Sequence, residues 1–492
     1  MIFIKTFTLF TTVILFSNVY AREVSTDHKT LWPVPDWKVA TRPDDSMDTP
    51  QCRGFLDFSI RSKSFLTDGL VVIKDGALQF EHYDSKYTSS TPHILWSVSK
   101  TITGSLLGIA ARDGRISLEQ NLNEFYPNVD AGDEYQRIKI KNLFYLDAGF
   151  LWDEYYFGNV DHSPVINMLY GQGHTDMAKF TLGTGIIPQG PNYKFNYSTG
   201  TPVITMGVLK HVYGADYDEM PWKLFFNPLG MKNVSFERDQ QGVFNGGSSV
   251  FATPRDMAKI GYLYLNNGQW NGEEILPADW ILKTLQVSPG YLSPGTVIND
   301  ITDDGVFGGS IWLNRAVKKG FGRPYPVSPE DMFLAMGHYG QLIIILPTQK
   351  MIITRTGYDQ DYNSKIDEFV SRSIACFADP HYPIGKNIPP PKSSKVTIGD
   401  ILQTLITGIK GNIIQPALAK NICSCHYISG LDIKTCLDRS NIPLASKLMD
   451  INIDDDTAHS GKYFVYAKPK WNNKKAMASF DTNHPEYGCT LD

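Results

Sequence analysis

Long apolar runs are scarce in this chain. After the first 21 of its 492 residues, no stretch reaches the ~20 predominantly apolar residues that a membrane-spanning helix needs. Charge of one sign is scarce as well: 46 Lys and Arg stand against 51 Asp and Glu, a net charge of -5 with no basic run. Without a basic stripe there is no electrostatic footprint for a phosphate backbone, so nucleic acid is excluded as a partner, and so is an anionic membrane surface. There is no internal repeat, and no metal or cofactor signature stands out. Core material, in contrast, is plentiful: hydrophobic residues make up 42%, aromatics 12% and charged residues 20%, the balance of a globular chain. The length exceeds what a single core of roughly 250–300 residues holds, which predicts two lobes and a tail.

The N-terminus carries Lys5, an apolar stretch over 6–16, and Ser17-Asn18-Val19-Tyr20-Ala21 with small residues where signal peptidase reads. Residues 1–21 are therefore expected to be a cleaved export signal, with no membrane attachment after cleavage. No Cys stands at the cleavage point to take a lipid, so the mature chain is expected in the periplasm or outside the cell. The six cysteines, Cys52, Cys376, Cys423, Cys425, Cys436 and Cys489, point in such a compartment to disulfides. Cys423-Ser424-Cys425-His426 with Cys436 offers a zinc cluster as the alternative, though its second pair lacks the usual close spacing.

Along the chain, β-branched runs over 70–83 flank Asp75-Gly76, the turn dipeptide of a hairpin. A second hairpin is predicted from 342–346 and 351–355, and the two should share one antiparallel sheet. Between them the pattern is helical. Residues 97–112 place Val98, Ile102, Leu106 and Ile109 at helical spacing, with Asp113-Gly114 as the stop. Further helices are predicted over 202–212, 254–266, 277–285 and 362–377. The reading is one main unit over 22–385, then a Pro-rich linker over 386–397 containing Pro389-Pro390-Pro391. A single helix over 398–420 and a cysteine-bearing tail follow, making 398–492 an appendage that covers part of the main unit.

Three short patterns carry chemistry. Ser97-Val98-Ser99-Lys100 opens a predicted helix, so that the helix N-terminus favours a developing alkoxide and Lys100, on the same face as Ser97, can serve as its base once burial lowers its pKa. Tyr197-Ser198 precedes the next apolar helix, and its phenol beside a Lys ammonium can relay a proton to a leaving group. Gly337-His338-Tyr339-Gly340-Gln341 runs into the strand at 342, where a backbone N–H could face an oxyanion together with that of Ser97.

In this order, S-x-x-K, Tyr-Ser and His-x-Gly resemble the three motifs of the β-lactamase-related serine hydrolases, a family that includes class C β-lactamases, D-alanyl-D-alanine peptidases, carboxylesterases and 6-aminohexanoate-dimer hydrolases. Further landmarks are similar: the segment 138–152 with its Ala148-Gly149, Pro228-Leu229-Gly230-Met231, Gly246-Gly247-Ser248-Ser249, Thr253-Pro254-Arg255-Asp256-Met257-Ala258, the segment 264–268 and Pro277-Ala278-Asp279-Trp280. The resemblance spans about residues 69–376. It implies an α+β fold of the β-lactamase/transpeptidase type, an antiparallel sheet flanked by helices with an inserted helical lobe, and no cofactor. It also implies an acyl-enzyme on Ser97, acid-base work by Lys100 and Tyr197, and an oxyanion hole from the N–H groups of Ser97 and Gln341. His338 and Gly340, with Ser198, would lie against a small-molecule or peptide-like substrate. The resemblance further implies that the terminal helices of the main unit pack side by side, hence a Cys52–Cys376 disulfide, leaving the other four cysteines to pair within the tail.

Two departures from the pattern bear on substrate. Tyr197-Ser198-Thr199 lacks the Asn of the usual Tyr-x-Asn, and His338 replaces the Lys of Lys-Thr-Gly. Both point away from β-lactams and toward linear amides and esters. Trp152-Asp153-Glu154-Tyr155-Tyr156 resembles the acidic and aromatic loop of the 6-aminohexanoate-dimer hydrolases, so Tyr155 or Tyr156 is expected to meet the substrate amide. The alternatives are a penicillin-recognising D,D-peptidase or class C-like β-lactamase, and, of another class, a binding module without turnover.

Overall fold

A computed structural model describes residues 30–41, 45–129, 132–296, 305–317, 322–359, 365–385, 398–440, 448–454, 461–470 and 474–492. The expected signal over 1–21, the linker over 386–397 and the first residues of the helix expected at 362 lie outside the described residues.

The two hairpins do share one sheet. Its strands are β1 (Thr67–Lys74), β2 (Ala77–Tyr83), β3 (Val306–Phe307), β4 (Trp312–Leu313), β5 (Phe333–Gly337), β6 (Gln341–Leu346) and β7 (Met351–Gly357), in the spatial order β2-β1-β7-β6-β5-β4-β3. Every neighbouring pair is antiparallel. β1 joins β7 with Val71 opposite Thr354, which closes the chain's distant ends into one layer. β6 and β7 are buried at every position, so both faces of the sheet are covered, and this is why they read as continuous apolar runs without alternation.

Helix α1 (Pro50–Ser59) starts at Thr49, whose side chain accepts from the Cys52 N–H. α2 spans Ser99–Arg112, α3 Gly200–Tyr213, α4 Pro254–Leu265 and α5 Ile366–Phe377. α1 and α5 pack together through Phe55 and Phe369 and are joined by the Cys52–Cys376 disulfide. α4 lies on the sheet where Gly261 meets Ile343 and Ile352. α2 and α3 belong to the helical part inserted between β2 and β3.

The appendage is more than a helix and a tail. The helix expected over 398–420 breaks at Gly411-Asn412, where Asn412 takes φ 53°, giving α6 (Ile398–Lys410) and α7 (Ile414–Cys423). A short α8 (Ile433–Asp438) follows. Then comes a separate antiparallel sheet, β8 (Met449–Asp454), β9 (Lys462–Pro469), β10 (Ala476–Asp481) and β11 (Cys489–Leu491), with its own core of Leu418, Ile422, Val465, Ala478 and Phe480 against α7. Cys423–Cys489 and Cys425–Cys436 staple this region, which leaves no thiolate for the zinc alternative. Among the described residues, no helix is long and apolar enough to cross a membrane.

Candidate active site

Ser97 lies in a 3-10 turn, Trp96–Val98, that leads directly into α2, two residues earlier than the α-helix proper. Trp96 holds φ 48°, a left-handed conformation that bulky residues rarely adopt. The turn is locked from both sides. The Leu95 N–H donates to the Val250 carbonyl at 2.8 Å, and Ser99 Oγ accepts from the Val250 N–H at 3.1 Å. Gly337, at the end of β5, approaches so closely that a Cβ there would stand 2.1 Å from the Leu95 carbonyl oxygen. Only glycine lets the third motif come this close to the segment that leads into the serine turn.

Lys100 projects from the first turn of α2 and is buried. Its Nζ donates to Ser97 Oγ at 2.9 Å, to Thr199 Oγ1 at 3.0 Å and to the Gly247 carbonyl at 3.0 Å. Gly247 comes near for the same steric reason as Gly337, since a Cβ would sit 2.2 Å from the Thr199 carbonyl oxygen. Burial lowers the Lys100 pKa to about 8, with the Glu154 carboxylate pulling partly in the other direction. With its pKa brought to about 8, part of the Lys100 population is neutral near physiological pH, within hydrogen-bond reach of the serine hydroxyl.

Behind the Lys stands Glu154. It accepts from the Trp152 indole at 2.5 Å, the Tyr156 hydroxyl at 2.8 Å, the Thr199 N–H at 3.1 Å and the Thr199 hydroxyl. Ser97, Lys100, Thr199 and Glu154 thus form one hydrogen-bonded chain. Neither Glu154 nor Thr199 was anticipated as a site residue. In the sequence the loop 152–156 is marked by its acidic and aromatic residues, and Thr199 stands where the usual motif has Asn. A hydroxyl at the third position of Tyr-x-Asn, able to accept from Lys and donate to a carboxylate, was the available signal.

Tyr197 lies beneath Lys100, whose Nζ stands 4.6 Å from the ring centroid, and it stacks on Trp312 at 5.4 Å. His338 stacks on Tyr156 at 5.1 Å and meets Trp96 edge-on at 5.9 Å. Burial lowers its pKa to about 4, so the imidazole is neutral where a Lys would be charged. The turn that carries it is held by Arg355, whose guanidinium donates to the Gly340 carbonyl at 2.8 Å. Gln341 opens β6 opposite Gly337, and its side-chain amide donates to the carbonyls of His338 and Gly357.

Two expected contacts are not made. The Ser198 hydroxyl is buried and accepts from the Thr201 N–H at 3.0 Å, capping the first turn of α3 instead of facing a substrate. Tyr155 turns away, its hydroxyl reaching the Asn159 carbonyl of its own loop at 3.4 Å. In an extended loop successive side chains point to opposite sides, so only one of the two tyrosines could enter the site, and Tyr156 does.

The antiparallel sheet, the inserted helical lobe and an S-x-x-K serine at their junction define a β-lactamase/transpeptidase-like fold. The family described as Beta-lactamase matches residues 53–357, and this chain belongs to it. It is 22% identical over 234 residues to 6-aminohexanoate-dimer hydrolase of Paenarthrobacter ureafaciens, a match spanning 46% of this chain and 59% of that relative. Among solved structures, a Bacillus anthracis protein assigned as a 6-aminohexanoate-dimer hydrolase superposes with a TM-score of 0.52 at 21% identity, covering 67% of this chain and 84% of its own. EstCE1, described as a hydrolase with promiscuous acyltransferase activity, gives a TM-score of 0.52 at 16% identity, covering 68% and 99%.

Proposed function

We propose that this chain is an exported serine hydrolase that cleaves a linear amide or ester bond through an acyl-enzyme on Ser97. The observation that carries the reading is the buried Lys100, its amine 2.9 Å from Ser97 Oγ and its pKa brought down to about 8. The neutral amine can donate to Thr199 and Gly247 while its lone pair accepts the serine proton. Ser97 Oγ then attacks the carbonyl carbon, and the N–H groups of Ser97 and Gln341 face the oxyanion. As the intermediate collapses, the proton passes from Lys100, with Tyr197 as relay, to the departing nitrogen or oxygen. A water molecule, activated by the same amine, releases the acid and restores the serine.

The choice of substrate class follows from two neutralities. His338 is uncharged and the Thr199 hydroxyl is engaged by Lys100 and Glu154, so the ammonium and carboxamide that hold a β-lactam carboxylate and amide in related enzymes have no counterpart here. The names of the matched relatives, an amide-dimer hydrolase and a hydrolase with acyltransferase activity, agree with this reading. Three disulfides support export to an oxidising compartment.

Ser97→Ala is expected to abolish p-nitrophenyl ester hydrolysis and labelling by a fluorophosphonate probe, with a chromogenic cephalosporin left intact by the unmodified protein. Ester turnover that survives in Ser97→Ala would remove the assignment, and rapid cephalosporin hydrolysis would move it to the β-lactamase branch.

A further inference from the structure

The C-terminal region does not merely lean on the body. Thr404 of α6 accepts from the Gly158 N–H at 2.8 Å, and Thr407 donates to the Gly158 carbonyl at 3.0 Å and accepts from the Val160 N–H at 3.2 Å. Gly158 and Val160 lie in the loop that also presents Glu154 and Tyr156 to Lys100 and His338. Below, the Tyr170 hydroxyl donates to Asn421 Oδ1 at 3.2 Å. The contacts border a small cavity between the two regions. On the body side its walls include Trp96, Tyr156 and His338; on the other they include Ile413, Ile414 and Ala417.

Two features of this cavity decide what it can hold. Among the described residues its lining includes no Asp, Glu, Lys or Arg, and the His338 imidazole is held neutral by burial. A charged group entering it would lose its hydration without gaining a counter-charge. The hydroxyls that Thr404, Tyr170 and Tyr156 bring to the wall are already bonded, which leaves a mostly aromatic and aliphatic surface with the His338 imidazole and the Asn421 amide as its polar points. The second feature is position. Trp96, on the cavity wall, is covalently adjacent to Ser97, while Phe307 and Trp312, the rings against Tyr197, do not line the cavity.

We propose that this cavity is the acyl pocket: it receives the uncharged hydrocarbon chain of the acyl group that Ser97 carries, and the C-terminal region supplies one of its walls. The proposal rests on the hydrolase reading above and specifies its substrate as an acyl chain without a terminal charge. The C-terminal region is then part of the specificity apparatus, and the small core of α7 with β8–β11 anchors the helix that carries Ile414 and Ala417.

The test compares kcat/KM of the full chain on p-nitrophenyl acetate, hexanoate and octanoate and on mono-p-nitrophenyl adipate, which ends in a carboxylate. The hexanoate ester should exceed the adipate ester by roughly tenfold or more. Ala417→Trp, which fills the cavity, should lower the hexanoate-to-acetate ratio by roughly tenfold or more. Ile413→Ala, which enlarges it, should raise the octanoate-to-hexanoate ratio, and this variant decides the matter if the Trp does not fold. Ratios that stay within about twofold of the unmodified protein, or an adipate ester as good as the hexanoate, would overturn the acyl pocket. In that event Ser97→Ala still separates the two readings. Loss of all ester turnover leaves the hydrolase standing without this pocket, whereas retained turnover removes both.

Discussion

At Lys100 two influences oppose each other: burial drives its proton off, and Glu154, bonded through the Thr199 hydroxyl, draws it back. If the neutral amine is the base, kcat/KM on a p-nitrophenyl ester should rise as pH climbs through about 8. Glu154→Gln removes the carboxylate's pull while keeping a side chain of the same shape. The amine then loses its proton more readily, and the rising limb of the pH profile should move to lower pH; a limb that stays in place or moves upward would contradict the role given to Glu154. Ser97, Lys100, Tyr197 and His338 were all legible in the sequence because each stands in a short pattern beside a predicted element boundary. Glu154 was not, because its partners Thr199 and Lys100 are 45 and 54 positions away and only the folded loop brings them together.

Among the elements, the strongest sequence signals were the hairpins and α2, where apolar period and turn chemistry agree. β5 is not marked in the sequence because Phe333–Gly337 is short and has no β-branched residue, whereas the equally buried β6 and β7 carry runs of Ile. β8 is a different case. Met449-Asp450-Ile451-Asn452-Ile453-Asp454 alternates apolar and polar residues as a half-buried strand should, and the signal was readable, but cysteine-rich surroundings suggested a tail. The pairing of α1 with α5 rests on phenylalanine contacts and on Cys52–Cys376, which closes a loop of sequence separation 324. Replacing both cysteines with Ser should lower unfolding stability by about 2–5 kcal/mol, measured by denaturant titration, with the ester activity of the folded fraction retained. A stability unchanged within error would mean that the helix packing alone suffices.

The molecule as a whole is a main unit with a C-terminal region docked on it through buried charges. Glu237 of the main unit pairs with Lys420 of α7 at 2.6 Å and also accepts from the Ser424 hydroxyl and the Cys489 N–H. Asp68 at the start of β1 takes a two-pronged contact from Arg439 at 2.7 and 3.1 Å, with His93 on the same carboxylate. Breaking a buried pair leaves its partner charged and desolvated, so Lys420→Met should lower stability by about 3–5 kcal/mol and raise hydrogen exchange in α7. Unchanged exchange in α7 would show that the apolar contacts hold the region without the ion pair.

By itself the sequence marked the two hairpins and the Ser97–Lys100 pattern, because these depend on local periodicity and turn chemistry, and its resemblance to the β-lactamase-related hydrolases implied the class of fold and the pairing of Cys52 with Cys376. Tertiary structure alone decided that Tyr156 and not Tyr155 faces the site, that Ser198 caps a helix, that Glu154 completes the hydrogen-bonded chain behind Lys100, and that α6 and α7 wall the cavity beside Trp96. Each of these depends on which side of a loop or helix a residue presents once remote segments have packed. That choice is made by burial and hydrogen bonding across hundreds of residues rather than by neighbours in sequence.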